Sequence, residues 1–94
     1  MITVIVEGKV TDNAAFDALM REILADTRAF DGCEGISVHR NQDDEAGILL
    51  IEHWDTRPQY EKYLKWREDN GTLAKIVALL EGAPSVRFFG NTGV

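Results

Sequence analysis

At 94 residues with a formal net charge of −6, the chain has room for one domain. It lacks the basic excess that a nucleic-acid or anionic-membrane surface calls for. Hydrophobic residues make up 45% and charged residues 28%, the balance of a folded globular domain and not of a disordered one. A domain this short buries only about 60–65% of the surface its unfolded chain exposes, so cover from a second molecule would add much to its stability. The longest apolar runs, Ile48 to Ile51 and Ile76 to Leu80, are too short to span a bilayer. Met1-Ile2-Thr3-Val4 has neither the basic start nor the cleavage site of a signal peptide. The single cysteine, Cys33, excludes an internal disulfide and fits a reducing compartment. A cytoplasmic protein with a single domain over residues 1–94 is expected.

In chain order, Ile2 to Val10 is rich in β-branched residues and predicts a first strand, with Val4, Val6 and Gly8 on one face and Thr3, Ile5 and Glu7 on the other. Thr11 or Asp12 can then cap a helix by accepting from a free N–H of its first turn. Phe16, Leu19, Met20, Ile23, Leu24, Thr27 and Phe30 recur every three or four residues and form its core stripe. Asp31-Gly32-Cys33-Glu34-Gly35 reads as a turn cluster. Ile36 to Gln42 alternates as a second strand, with Ile36, Val38 and Arg40 opposite Ser37, His39 and Asn41. An acidic loop, Asp43 to Gly47, leads into a third strand from Ile48 to Trp54. Pro58 is tolerated in a first helical turn, having no N–H to lose. It opens a second helical region with Tyr60, Tyr63, Leu64 and Arg67 on one stripe. Asn70-Gly71 interrupts that region, and Leu73, Ile76, Val77 and Leu80 continue it. Gly82 and Pro84 end it, and Val86 to Phe89 forms a last strand.

This order predicts an α+β, ferredoxin-like βαββαβ domain with an antiparallel sheet. Helices cover one face of such a sheet, and the other ordinarily meets water and reads as polar. Here Ile48 to Ile51, Phe88-Phe89, and Ile5 beside Val4 and Val6 make both faces apolar. A symmetric homodimer is the simplest way to cover the second face.

Three passages carry a family resemblance. They are Gly32-Cys33-Glu34-Gly35 followed by a strand ending in Arg40, Glu52-His53-Trp54-Asp55 just before a helix, and Tyr63-Leu64-Lys65-Trp66-Arg67 followed by Gly71 and Pro84. Together they resemble the antibiotic biosynthesis monooxygenase family over nearly the whole chain. The resemblance implies a dimeric α+β barrel with a ligand pocket between sheet and helices in each subunit. It also implies oxidation of phenols or anthrones to quinones by molecular oxygen, without metal or flavin. In such chemistry the substrate supplies the electrons, while the protein removes a proton and steadies the anion in a dry pocket. Where many active members carry a histidine on the second helical region, this chain has Tyr63. The tryptophan, histidine and asparagine of the haem-degrading branch are matched by Tyr63, Leu73 and Glu7, so haem degradation is not expected.

A site of this kind needs a base, a donor for the oxyanion and aromatic walls. A histidine can accept a phenolic proton near neutral pH, which makes His53 the candidate base. Tyr63 and Arg67 are spaced to reach one space from a helix. These three are the candidate catalytic residues. Tyr60, Trp66, Trp54, His39 and Asn41 are candidates for substrate binding. Each has a plainer reading: aromatics at helical spacing are usually core, Arg67 can pair with a carboxylate such as Glu52, and His53 can face a dimer partner. No nucleotide-binding glycine motif or paired cysteines occur. Two histidines alone are a poor zinc set, and consecutive Asp43, Asp44 and Glu45 lack the alternation of a calcium loop. No cofactor and no metal are expected. Two functions follow: a cofactor-independent monooxygenase acting on an electron-rich aromatic or hydroquinone, or a non-catalytic dimeric module holding a small apolar ligand. A closed cavity of roughly 300 Å³ or more with His53 or Tyr63 and Arg67 turned inward favours the enzyme. One filled by Trp66 and phenylalanines favours the module.

Overall fold

The computed structural model describes residues 1–94. Four strands, β1 (Ile2–Lys9), β2 (Cys33–Arg40), β3 (Gly47–Trp54) and β4 (Ser85–Gly90), are joined through three helices, α1 (Asn13–Ala29), α2 (Arg57–Asp69) and α3 (Thr72–Ala78). The strands form one antiparallel sheet in the order β2-β3-β1-β4. This is the ferredoxin-like arrangement expected from the element order, with the second helical region split in two. No helix is long and apolar enough to cross a membrane.

Local chemistry sets the helix boundaries. Asp12 rather than Thr11 caps α1, its carboxylate accepting from the Ala15 N–H at 3.0 Å. Thr56 caps α2, accepting from the Gln59 N–H at 3.3 Å, and Pro58 sits in the first turn. Gly71, at φ 82°, takes the left-handed conformation that lets the chain turn from α2 into α3. One expectation is corrected. The glycine-rich stretch at Gly32–Gly35 is not all turn, because β2 begins at Cys33. Cys33 pairs with Trp54 and Gly35 with His53, with a bulge between them, so the ladder with β3 overrides the local turn preference.

Strand parity decides what each side chain meets. Ile48, Leu50, Glu52 and Trp54 of β3 alternate inward, beside Val4, Val6 and Gly8 of β1. Leu49, Ile51 and His53 point to the outer face, beside Thr3, Ile5 and Glu7. The inner face meets the stripe of α1, where Phe16, Met20, Ile23, Leu24 and Thr27 are buried as the periodicity predicts. The core forms two groups. One holds Val10, Phe16, Met20, Ile23, Leu24 and Ile48; the other is aromatic, with Val4, Trp54, Tyr60 and Tyr63. The outer face is mixed: Ile5, Leu49, Ile51 and Phe89 are apolar there, among Thr3, Glu7, Ser37, His39, His53 and Arg87, and Phe89 of the edge strand β4 is 48% exposed.

Candidate functional site

Between the inner face of the sheet and the three helices lies a cavity of about 340 Å³. Val6, Leu50 and Ile36 give its floor, Met20, Ile23 and Leu24 one side, and Leu73, Ile76 and Val77 of α3 the other. Its wall holds only two charged residues, Glu52 from β3 and Arg67 from α2, together with Tyr60 and Tyr63. Glu52 and Arg67 are each 3% exposed, and charges at that depth demand partners.

Arg67 has partners, but no carboxylate among them. Its Nε donates to the Tyr63 hydroxyl at 3.1 Å, and its Nη2 donates to the Ile23 carbonyl at 2.7 Å and to Thr27 Oγ1 at 3.0 Å. Tyr63 Oη and Thr27 Oγ1 share a further bond of 2.7 Å. The guanidinium carbon lies 4.5 Å from the ring centre of Trp66 and 5.4 Å from that of Tyr63. These contacts lock the fork and staple α2 onto α1. They leave its positive charge uncompensated by any ion pair. The pairing of Arg67 with Glu52 considered from sequence does not occur: Glu52 belongs to the sheet, and the neutral oxygens of α1 and Tyr63 take the guanidinium instead.

Glu52 sits in the centre of the sheet, level with Ile36 of β2 and Val4 of β1. Its one protein partner is the Trp54 indole, whose N–H donates to Oε1 at 3.1 Å. Burial pushes the carboxyl up from 4.5 to about 7, opposed by that indole bond, which favours the ionised form. Burial, then the nearby Glu52 and Tyr63, holds the Tyr60 phenol above its usual range. Glu52 Oε2, Arg67 Nη1 and the Tyr60 hydroxyl have no protein partner, and all three residues line the cavity. The space is thus an apolar slot with an acid or base on the sheet side and a fixed cation on the helix side.

The candidates from sequence separate cleanly. Tyr60, Tyr63 and Arg67 line the cavity. His53 does not, because its parity on β3 turns it to the outer face, where it shares a bond of 3.1 Å with Thr3 Oγ1. Trp54 faces inward but is wholly buried, packed against Phe30, Tyr60 and Tyr63; it stands behind the cavity wall and does not line the cavity. Trp66 is 37% exposed and covers the back of Arg67, not the cavity. His39 and Asn41 line an open depression of about 350 Å³ on the outer side of the sheet, and His39 shares a bond of 2.8 Å with Ser37. A further groove of about 510 Å³ between α1 and β2 is open and polar, with Arg40 tied to Asp17 at 2.7 Å. Burial raises the pKa of the half-buried Cys33, which makes it a poor nucleophile. No three histidine, cysteine or carboxylate side chains converge as a metal site would require. Glu52 is the cavity-lining residue that the sequence did not mark as a site candidate, only as a motif member and a possible partner of Arg67. The available signal was its parity with Trp54 and its place beside an unbroken apolar run.

A sequence profile described as antibiotic biosynthesis monooxygenase matches residues 1–68, a stretch that carries Glu52, Tyr60, Tyr63 and Arg67. Among solved structures, the chain is similar to a protein titled antibiotic biosynthesis monooxygenase, at 21% identity and TM-score 0.82, covering 98% of this chain and 99% of that one. It is similar to Rv0793 from Mycobacterium tuberculosis at 21% identity and TM-score 0.81, covering 96% and 93%. It is also similar to SnoaB, a cofactor-independent oxygenase from Streptomyces nogalater, at 15% identity and TM-score 0.83, covering 96% and 91%. Comparison with curated protein sequences finds no match. At these identities the structures establish the fold, and the profile establishes the kinship: the chain belongs to the antibiotic biosynthesis monooxygenase family.

Proposed function

We propose that the protein is a cofactor-independent monooxygenase that oxidises an electron-rich aromatic, of the hydroquinone or anthrone type, with molecular oxygen in the cavity between sheet and helices. The observation that carries this reading is the buried guanidinium of Arg67, held by no ion pair, in the wall of a mostly apolar space of about 340 Å³. A neutral apolar ligand has no use for such a charge. An aromatic that becomes an anion during reaction does, and a preorganised donor in a dry site is worth far more there than in water.

The reaction balances without an outside reductant. One oxygen atom of O₂ enters the substrate, two substrate hydrogens leave with the other as water, and all four electrons come from the ring system, which becomes a quinone. The protein's part is to bind the ring, exclude water, and favour the anion that oxygen can oxidise. Tyr63 and Thr27 hold Arg67 in place, and Tyr60 offers a hydroxyl to a substrate oxygen. None of the residues of α3 is buried, which supports entry of the ligand on that side. The non-catalytic reading is less well supported, since Trp66 and the phenylalanines do not fill the space.

The same reading includes a cytoplasmic homodimer. On the uncovered face Ile5, Leu49 and Ile51, with Phe89 at the edge, form a short apolar strip, and a matching strip on a second copy would cover it. Under isotopically heavy oxygen gas, the quinone formed should gain one heavy atom. A product that gains none, with hydrogen peroxide released instead, would overturn the monooxygenase assignment.

A further inference from the structure

We propose that Glu52 is the proton acceptor of this site, and that the substrate is an aromatic whose acidic O–H or C–H lies at the sheet end while a conjugated oxygen lies at the Arg67 end. The inference rests on the function proposed above and adds the base and the polarity of the substrate to it.

The geometry carries the argument. Glu52 and Arg67 line one cavity of about 340 Å³ from different layers and form no ion pair. Glu52 is oriented, because the Trp54 indole fixes Oε1 at 3.1 Å and leaves Oε2 without a protein partner. The bond to hydrogen breaks, the proton goes to Oε2, and the electron pair stays on the substrate. Conjugation spreads that pair to the oxygen held by Arg67. The site carries one positive and one negative charge before and after transfer, so no net charge is added to a low-dielectric space. The titratable groups facing Glu52 are Tyr60, Tyr63 and Arg67 from α2 and Cys33 from β2. The lining residues from β1, α1, α3 and β4 are apolar. Glu52 is the one carboxylate in the wall, and His53 is on the far face. The burial that sets Glu52 near 7 gives it the match to working pH that proton transfer favours.

The test uses binding alone, so it does not depend on turnover. para-Nitrophenol is unreactive toward oxygen, ionises near neutrality, and absorbs differently as phenol and phenolate. Wild-type protein should bind it as phenolate at about pH 6, where the free probe is mostly protonated. Above about pH 7, both partners are ionised and each binding event must take up a proton. Wild-type affinity should then fall about tenfold per pH unit. Glu52→Gln, which copies the protonated carboxyl, should also bind phenolate at about pH 6 and keep a flat affinity for phenolate at higher pH. Neutral phenol in the wild-type cavity, or the same pH dependence in both proteins, overturns the assignment to Glu52 and leaves the cavity's function standing. Failure of wild-type protein to bind the probe at any pH overturns the cavity reading as well.

Discussion

Replacing Glu52 by glutamine should remove a pH-dependent penalty on folding. The carboxyl rises from 4.5 to about 7 on folding because burial strips its hydration. Between those values the unfolded chain has released the proton and the folded chain still holds it. The unfolded state therefore binds fewer protons, and stability falls as pH rises through this window. At about 1.4 kcal/mol per pH unit, the fall is about 3 kcal/mol in total. Glutamine keeps the shape and can still accept from the Trp54 indole, but it does not titrate. Urea unfolding followed by tryptophan fluorescence, at fixed protein concentration so that any association cancels, gives the stability of both proteins between about pH 4 and pH 8. Asp17 and Asp44, held below the usual carboxylate range chiefly by hydrogen bonds from Arg40 and Lys9, contribute stability that is lost only as pH falls below 3.8. They are common to both proteins and drop out of the difference. Glu52→Gln should gain about 3 kcal/mol on wild type across the window, and the gain should level off above about pH 7. Parallel curves for the two proteins would refute the claim that a buried, uncompensated carboxyl is present.

Three further outcomes follow. Trp54→Phe removes the one hydrogen bond that favours ionised Glu52, so the Glu52 midpoint, read as the pH at which the nitrophenol affinity begins to fall, should move above about 7; an unchanged midpoint contradicts the assigned bond. Leu50→Trp places a larger side chain in the floor of the cavity and should weaken aromatic ligand binding by about tenfold or more while costing about 1–3 kcal/mol of stability, measured by titration and by urea unfolding. Ile51→Glu puts a charge at the centre of the outer strip and should convert a wild-type dimer into a species of 10.5 kDa in sedimentation, whereas a wild-type protein already sedimenting at that mass refutes the dimer.

Much of the fold was legible because its signals are periodic and local. The α1 stripe from Phe16 to Thr27 follows one helical face, and Asp12, Pro58 and Gly71 mark boundaries by their own chemistry. Arg67 and Tyr63 were legible as a pair because helical spacing fixes which side chains share a face. The site's other half was not. On β3, Ile48 to Ile51 is apolar at both parities, so alternation could not tell which residues meet the helices. A one-residue shift of parity exchanges His53 for Glu52, and chemical habit favours the histidine as base. Trp54, wholly buried, settles the parity, but only the packed structure shows that. The start of β2 was hidden for a related reason: pairing with β3 is non-local, and it overrode the turn preference of Gly32 and Gly35.

Oxygen consumption is the plainest test of monooxygenase activity. Wild-type protein is presented with a panel of hydroquinones and anthrones, and uptake is compared with protein-free buffer and with the Arg67→Ala variant. That variant loses three buried hydrogen bonds and about 1–3 kcal/mol of stability, so the comparison is made where unfolding shows it to be folded. Uptake above autoxidation is expected for at least one compound, with one oxygen molecule per quinone formed and a rate lowered about a hundredfold in the variant. Uptake no faster than in buffer for every compound, with folded wild-type protein, would contradict this expectation.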